Sequence, residues 1–149
     1  MLLHHRVCAV AETMGTALVR ASSGPNIKER RDLSCAVFDA GGRLLAQAAH
    51  IPVHLGALPA AVAAAGAAGR WRRGDAVLLN DPYQGGSHLP DLTIVSPVFG
   101  PRDGRGDGPA AFLVSRAHHA DVGGTSAGSL PLAADLFGEG LVLPPVRLV

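Results

Sequence analysis

Two pairs of short apolar segments, each folded about a glycine-containing run, restrict this chain to a fold built on antiparallel hairpins. Leu33-Ser-Cys-Ala-Val-Phe38 and Arg43-Leu-Leu-Ala-Gln47 flank Asp39-Ala-Gly-Gly42, whose glycines can take the positive φ that a tight hairpin turn requires. Leu92 to Phe99 and Ala110 to Arg116 are rich in β-branched and apolar residues. They flank the polar, glycine-laden Gly100 to Pro109 and read as a second hairpin with a long, mobile tip. Ala76 to Leu79, after Gly74-Asp75, reads as a short buried strand. Helices complete the set. Val7, Val10, Met14, Leu18 and Val19 recur at helical spacing without proline, so residues 4 to 21 form an amphipathic helix that Ser22-Ser-Gly-Pro25 ends. Residues 57 to 69 form an alanine-rich helix, and Ala133 to Phe137 a short one before an extended end broken by Pro144-Pro145. The fold class is α+β, with the N-terminal helix, the hairpins and the alanine-rich helix around a mixed or mainly antiparallel sheet.

A chain of 149 residues with 48% apolar composition buries one core, so a single domain is expected. Its net charge of +1, with no segregated basic block, excludes the electrostatic footprint of a nucleic-acid or anionic-membrane binder. The longest apolar run, Ala57 to Ala68, contains Pro59 and Gly66 and falls short of the ~18 residues that span a bilayer. The N-terminus lacks the apolar core and cleavage site of a signal peptide. Cys8 and Cys35 are too few for a disulfide framework, which fits a reducing cytosol, and Cys35 reads as a small core residue.

Two histidines open matching His-x-x-Asp patterns, His88-Leu-Pro-Asp91 and His118-His-Ala-Asp121. Imidazole and carboxylate together suit zinc, manganese or iron and leave coordination positions for water and substrate. With the hairpin turn centred near residues 104 and 105, antiparallel pairing sets Asp91 opposite His118 and His88 opposite Asp121. Four donors distant in sequence then meet at one end of the sheet. His50 and His54 bracket Pro52 and read as loop histidines capped by backbone carbonyls, held in reserve as ligands. His4 and His5 read as solvent-facing, and Asn26 to Asp32 as a charged connector, a solvated loop or short turn. Asn80 to Ser87 is dense in turn formers and must be a loop. Within it, Gly85-Gly86 can offer backbone N–H groups to an anion, but no Gly-Lys-Ser or Gly-Lys-Thr makes a nucleotide-binding P-loop. No Gly-x-Ser-x-Gly indicates acyl-enzyme chemistry.

Four segments in order carry a family resemblance: Pro25 to Arg30; Ala48 to Gly56; Leu79 to Tyr83 with Gly85 to Asp91; and Ser115 to Gly124. Together they resemble the hydantoinase B and 5-oxoprolinase family over nearly the whole chain. The resemblance implies a metal-dependent subunit of an ATP-dependent cyclic-amide hydrolase that opens hydantoin or 5-oxoproline rings. A hydantoinase A-type partner in a hetero-oligomer would bind the ATP. It also implies that His88, Asp91 and His118 hold a divalent ion, zinc, manganese or iron. Asp121 is then expected to orient a ligand imidazole or a water, with His119 as a second catalytic candidate. Relatives of this kind are longer, so residues 1–149 are expected to be the N-terminal portion of a larger domain. The same motif would serve a carboxylase subunit of the acetone or acetophenone type, or a truncated, non-catalytic metal-binding module.

Overall fold

The two hairpins join through their inner strands into one sheet. In the computed structural model, which describes residues 2–49, 51–54, 56–100 and 108–149, β1 (Leu33–Asp39) returns as β2 (Leu44–Ala49), and β4 (Asp91–Val98) as β5 (Ala111–His118). β1 pairs along its length with β5. β4 pairs with β3 (Val77–Leu79), which takes β6 (Val146–Arg147) on its outer edge. The strand order is β2-β1-β5-β4-β3-β6, and every pairing among the described residues is antiparallel. The first turn forms as its residues dictate. Asp39 Oδ1 accepts the N–H groups of Gly41 and Arg43, each at 2.9 Å, while Gly42 takes a φ of 77°. The tip expected at Gly100 to Pro109 falls largely outside the described residues, as does His50.

Successive strand residues face opposite sides of a sheet, and each side here has its own helix. Ala36, Phe38, Val77, Leu79, Val95, Phe112 and Val114 pack with Leu58, Ala61, Val62 and Ala65 of α3 (Leu58–Ala67). Those four α3 positions have the i, i+3, i+4, i+7 spacing of a single helical face. Cys35 and Val37 point the other way, toward α1 (Leu2–Ala21). Paired on both edges and covered on both faces, β1 is buried from Leu33 to Phe38. The seat of α1 differs from the apolar stripe expected of it: Val10 is 45% exposed, and the buried positions are Ala11 and Gly15. Small side chains let the helix backbone approach the sheet, with Val7, Met14, Leu18 and Val19 packed around the contact. No described helix is long and apolar enough to cross a membrane.

The connector after α1 contains a single helical turn, α2 (Pro25–Lys28). The short helix near the C-terminus begins at Leu136 rather than Ala133, as α4 (Leu136–Glu139), because the Asp135 side chain accepts the Gly138 N–H at 2.8 Å and sets its start. After Pro144-Pro145 the extended end joins the sheet as β6.

The loop from Asn80 to Pro90 folds tightly over the sheet end. A β-carbon on Gly86 would stand 2.1 Å from the Asn80 carbonyl oxygen. The Gly86 N–H donates to the Asp81 carbonyl at 2.8 Å, so it is committed within the loop and is not offered to an anion. Gly86→Ala is therefore expected to destabilise the fold by about 3 kcal/mol. Gly66→Ala in α3, where nothing lies within 4 Å of the added carbon, should stabilise it by about 0.5–1 kcal/mol. Urea denaturation midpoints of the two variants should bracket the wild type; midpoints in the reverse order would refute both statements.

Candidate metal centre

The β4–β5 register brings Asp91 opposite His118 at the open end of the hairpin, as the turn position implied. Asp91 is buried, and its Oδ1 lies 2.9 Å from His118 Nδ1. His88 reaches the same place from the preceding loop. The Asp91 N–H donates to the His88 carbonyl at 2.9 Å, and this bend stacks the His88 ring on that of His118 with centroids 5.5 Å apart. One donor atom from each of His88, Asp91 and His118 lies within 4.8 Å of the others.

The second expected pairing, His88 with Asp121, does not form. The ladder ends just beyond Asp91 and His118, with a last bond from the His119 N–H to the Pro90 carbonyl at 2.8 Å. Further on, the Leu89 carbonyl is taken by Asn80 Nδ2 and the His88 carbonyl by the Asp91 N–H, so neither can extend the pairing. Asp121 is exposed, and its carboxylate accepts the N–H groups of Gly123 at 2.7 Å and Gly128 at 3.3 Å. These backbone donors hold its carboxyl below the ordinary value. Asp121 braces its own loop and orients none of the converging donors. His119 is half-buried and is not among the converging donors; burial and the neighbouring His118 push its imidazole below the ordinary value.

Three neighbours escaped the sequence reading. His54, expected to be capped by backbone carbonyls, is instead buried among side chains. Its Nδ1 lies 3.1 Å from Ser34 Oγ, and its Nε2 lies 3.7 Å from Asp32 Oδ1 and 3.8 Å from Asp91 Oδ1. Asp32, read as part of a solvated connector, arrives because its carbonyl accepts the His118 N–H at 3.0 Å where β1 meets β5. Arg116 is fully buried beneath the loop. Burial pushes the Asp91 carboxyl up, but contacts from His54, Ser87 and His118 outweigh it and hold the group well below the usual carboxylate range. Asp91 is thus an anion at neutral pH. Cys35 is buried in β1, and burial raises its thiol, as befits a core residue.

The donor set fits a divalent transition ion. Two imidazoles and one ionised carboxylate are preferred ligands for such an ion. His88 and His118 are only partly buried, which leaves one side of the cluster open to water.

Comparison with known proteins agrees with this picture. A family model described as hydantoinase B/oxoprolinase matches residues 1–149. The chain is 44% identical over 149 residues to the 5-oxoprolinase PfmaA of Pestalotiopsis fici, covering 97% of this chain and 11% of that protein. Among solved structures it is similar to an ATP-dependent caprolactamase from Pseudomonas jessenii, with a TM-score of 0.79 and 31% identity over 99% of this chain and 25% of that one. It shares its fold with an acetone carboxylase solved free of nucleotide, with a TM-score of 0.85 and 20% identity over 99% of this chain and 19% of that one. The chain therefore spans a quarter or less of the length of these proteins.

Proposed function

Because the chain belongs to the hydantoinase B/oxoprolinase family, we propose that it supplies the metal-dependent part of an ATP-dependent enzyme that hydrolyses cyclic amides such as hydantoin or 5-oxoproline. The observation that carries this reading is the convergence of His88, Asp91 and His118 within 4.8 Å at the open end of the β4–β5 hairpin. A relative named 5-oxoprolinase and a structural neighbour named ATP-dependent caprolactamase support the substrate class. The same reading takes residues 1–149 as the first portion of a larger hydantoinase B/oxoprolinase domain.

His88, Asp91 and His118 would hold a zinc, manganese or iron ion, which when bound would polarise an amide carbonyl or make a coordinated water more acidic. The chain's own residues do the rest. Asp91 supplies the negative charge, and the β4–β5 pairing keeps it against His118. His119, whose imidazole burial favours in the neutral form, is the group available to accept a proton near the cluster. Asp121 contributes through the loop it braces. With no P-loop in this chain, ATP chemistry falls to a hydantoinase A-type partner in a hetero-oligomer.

Elemental analysis tests the reading directly. The purified protein is expected to retain about one divalent transition ion per chain, and the double variant His88→Ala, His118→Ala to retain almost none. Equal metal content in the two proteins would eliminate the proposed site.

A further inference from the structure

Two of the three converging donors owe their positions to strand pairing, since Asp91 and His118 lie opposite one another in the β4–β5 ladder. His88 has no such support. It stands in the loop before β4, and its distance from the other two depends on whatever fixes that loop to the sheet. We propose that Arg116 is this fixing element, a positioning residue for the metal centre, and that Ser87 carries its influence to Asp91. The proposal rests on the metal-centre reading above.

Arg116 sits on β5 directly opposite Thr93 of β4, with its side chain fully buried. Its Nε donates to Thr93 Oγ1 at 2.7 Å, its Nη1 to Ser87 Oγ at 3.1 Å and its Nη2 to the Gly85 carbonyl at 2.9 Å. One rigid planar fork therefore binds the sheet to two points on the loop, on either side of Gly86 and just ahead of His88.

The bonds beyond the fork have a fixed direction. A guanidinium only donates and a carboxylate only accepts, so each hydroxyl between them accepts from Arg116 and passes its own proton onward. Ser87 Oγ donates to Asp91 Oδ2 at 2.8 Å, and Thr93 Oγ1 to the Asp91 carbonyl at 3.3 Å. Arg116 thus grips Asp91 by side chain and by backbone, through two hydroxyls. The arrangement also settles a charge problem. A buried guanidinium is unfavourable unless an anion offsets it, and the anion it reaches through Ser87 is Asp91. Lysine at position 116 would keep the charge but not the three-pronged geometry.

Cobalt(II) titration, followed by visible absorption, tests the proposal on the full chain. Ser87 is exposed, so Ser87→Ala should fold while cutting the side-chain relay. It is expected to weaken cobalt binding by roughly 10- to 100-fold, the effect typical of removing a group that orients a metal ligand, and to shift the visible bands. Arg116→Lys should do the same or worse, and Ser87→Thr, which restores the hydroxyl, should bind as the wild type does. Wild-type affinity and spectrum in Ser87→Ala would overturn the proposal, even if Arg116→Lys failed to fold. A wild-type protein that takes up no cobalt would instead bring down the metal-centre reading, and this one with it.

Discussion

Replacing Asp91 with alanine is expected to reduce metal affinity at least roughly 100-fold and to destabilise the metal-free protein by about 3 kcal/mol. The two effects have one origin. Asp91 Oδ1 meets His118 Nδ1 at 2.9 Å, Asp91 Oδ2 accepts the Ser87 hydroxyl at 2.8 Å, and His54 Nε2 stands 3.8 Å away. Alanine would leave each of these groups without its partner and the buried Arg116 without its offsetting charge. Asp91→Asn isolates the charge from the shape. The folded protein holds the Asp91 carboxyl below its ordinary value, against the effect of burial and through His54, Ser87 and His118. Its ionisation therefore stabilises the fold above the unfolded value, about pH 4. That contribution is lost as pH falls through the folded value. Thermal midpoints measured with a chelator should place wild type above Asp91→Asn at neutral pH, with the two curves converging in acid. Curves that ran parallel down to about pH 2 would show that the carboxylate charge adds nothing.

The residues that build this site differ in how far the sequence betrays them. Asp91 and His118 were legible because a hairpin's register follows from where its turn is centred, and the observed pairing has Asp91 opposite His118. His88 was legible as a motif, but its supposed partner Asp121 was not, because Asn80 captures the Leu89 carbonyl and stops the ladder. Asp32 and His54 join the cluster through the pairing of β1 with β5. That pairing joins segments some eighty residues apart, and no local periodicity encodes it. Arg116 did leave a signal. Phe112, Val114 and Arg116 alternate on β5 with the same inward sense, so period-two reasoning would have buried the arginine and asked what satisfies it. On α1, weighting by apolarity favoured Val10 over Ala11 and Gly15, whereas close helix–sheet approach favours the small residues.

Replacing Asn80 is expected to be the most damaging change made without touching a ligand, at about 3 kcal/mol or more. Asn80 is fully buried and uses its whole amide. Nδ2 donates to the carbonyls of Leu89 and Leu141, each at 2.8 Å, and Oδ1 accepts the Leu143 N–H at 2.6 Å. The backbone N–H groups of Asn80 and Asp81 both donate to the Leu143 carbonyl, at 3.0 and 3.1 Å. A single side chain thus clips the end of the His88 loop to the segment that leads into β6. Asn80→Ala strands two carbonyls and one N–H, each worth about 1–3 kcal/mol when buried and unpaired. Asn80→Asp should be worse at neutral pH despite its matched shape, because an ionised carboxylate would face the Leu89 and Leu141 carbonyls with nothing to donate. Opening of this clip would also free Leu89 and loosen His88 beside it, so metal affinity should fall with stability. Limited proteolysis with mass mapping should find new cleavage between residues 139 and 145 in both variants, and urea midpoints should fall in the order wild type, Asn80→Ala, Asn80→Asp. If Asn80→Asp unfolds at the wild-type urea concentration, the donors of Asn80 do not hold these segments together.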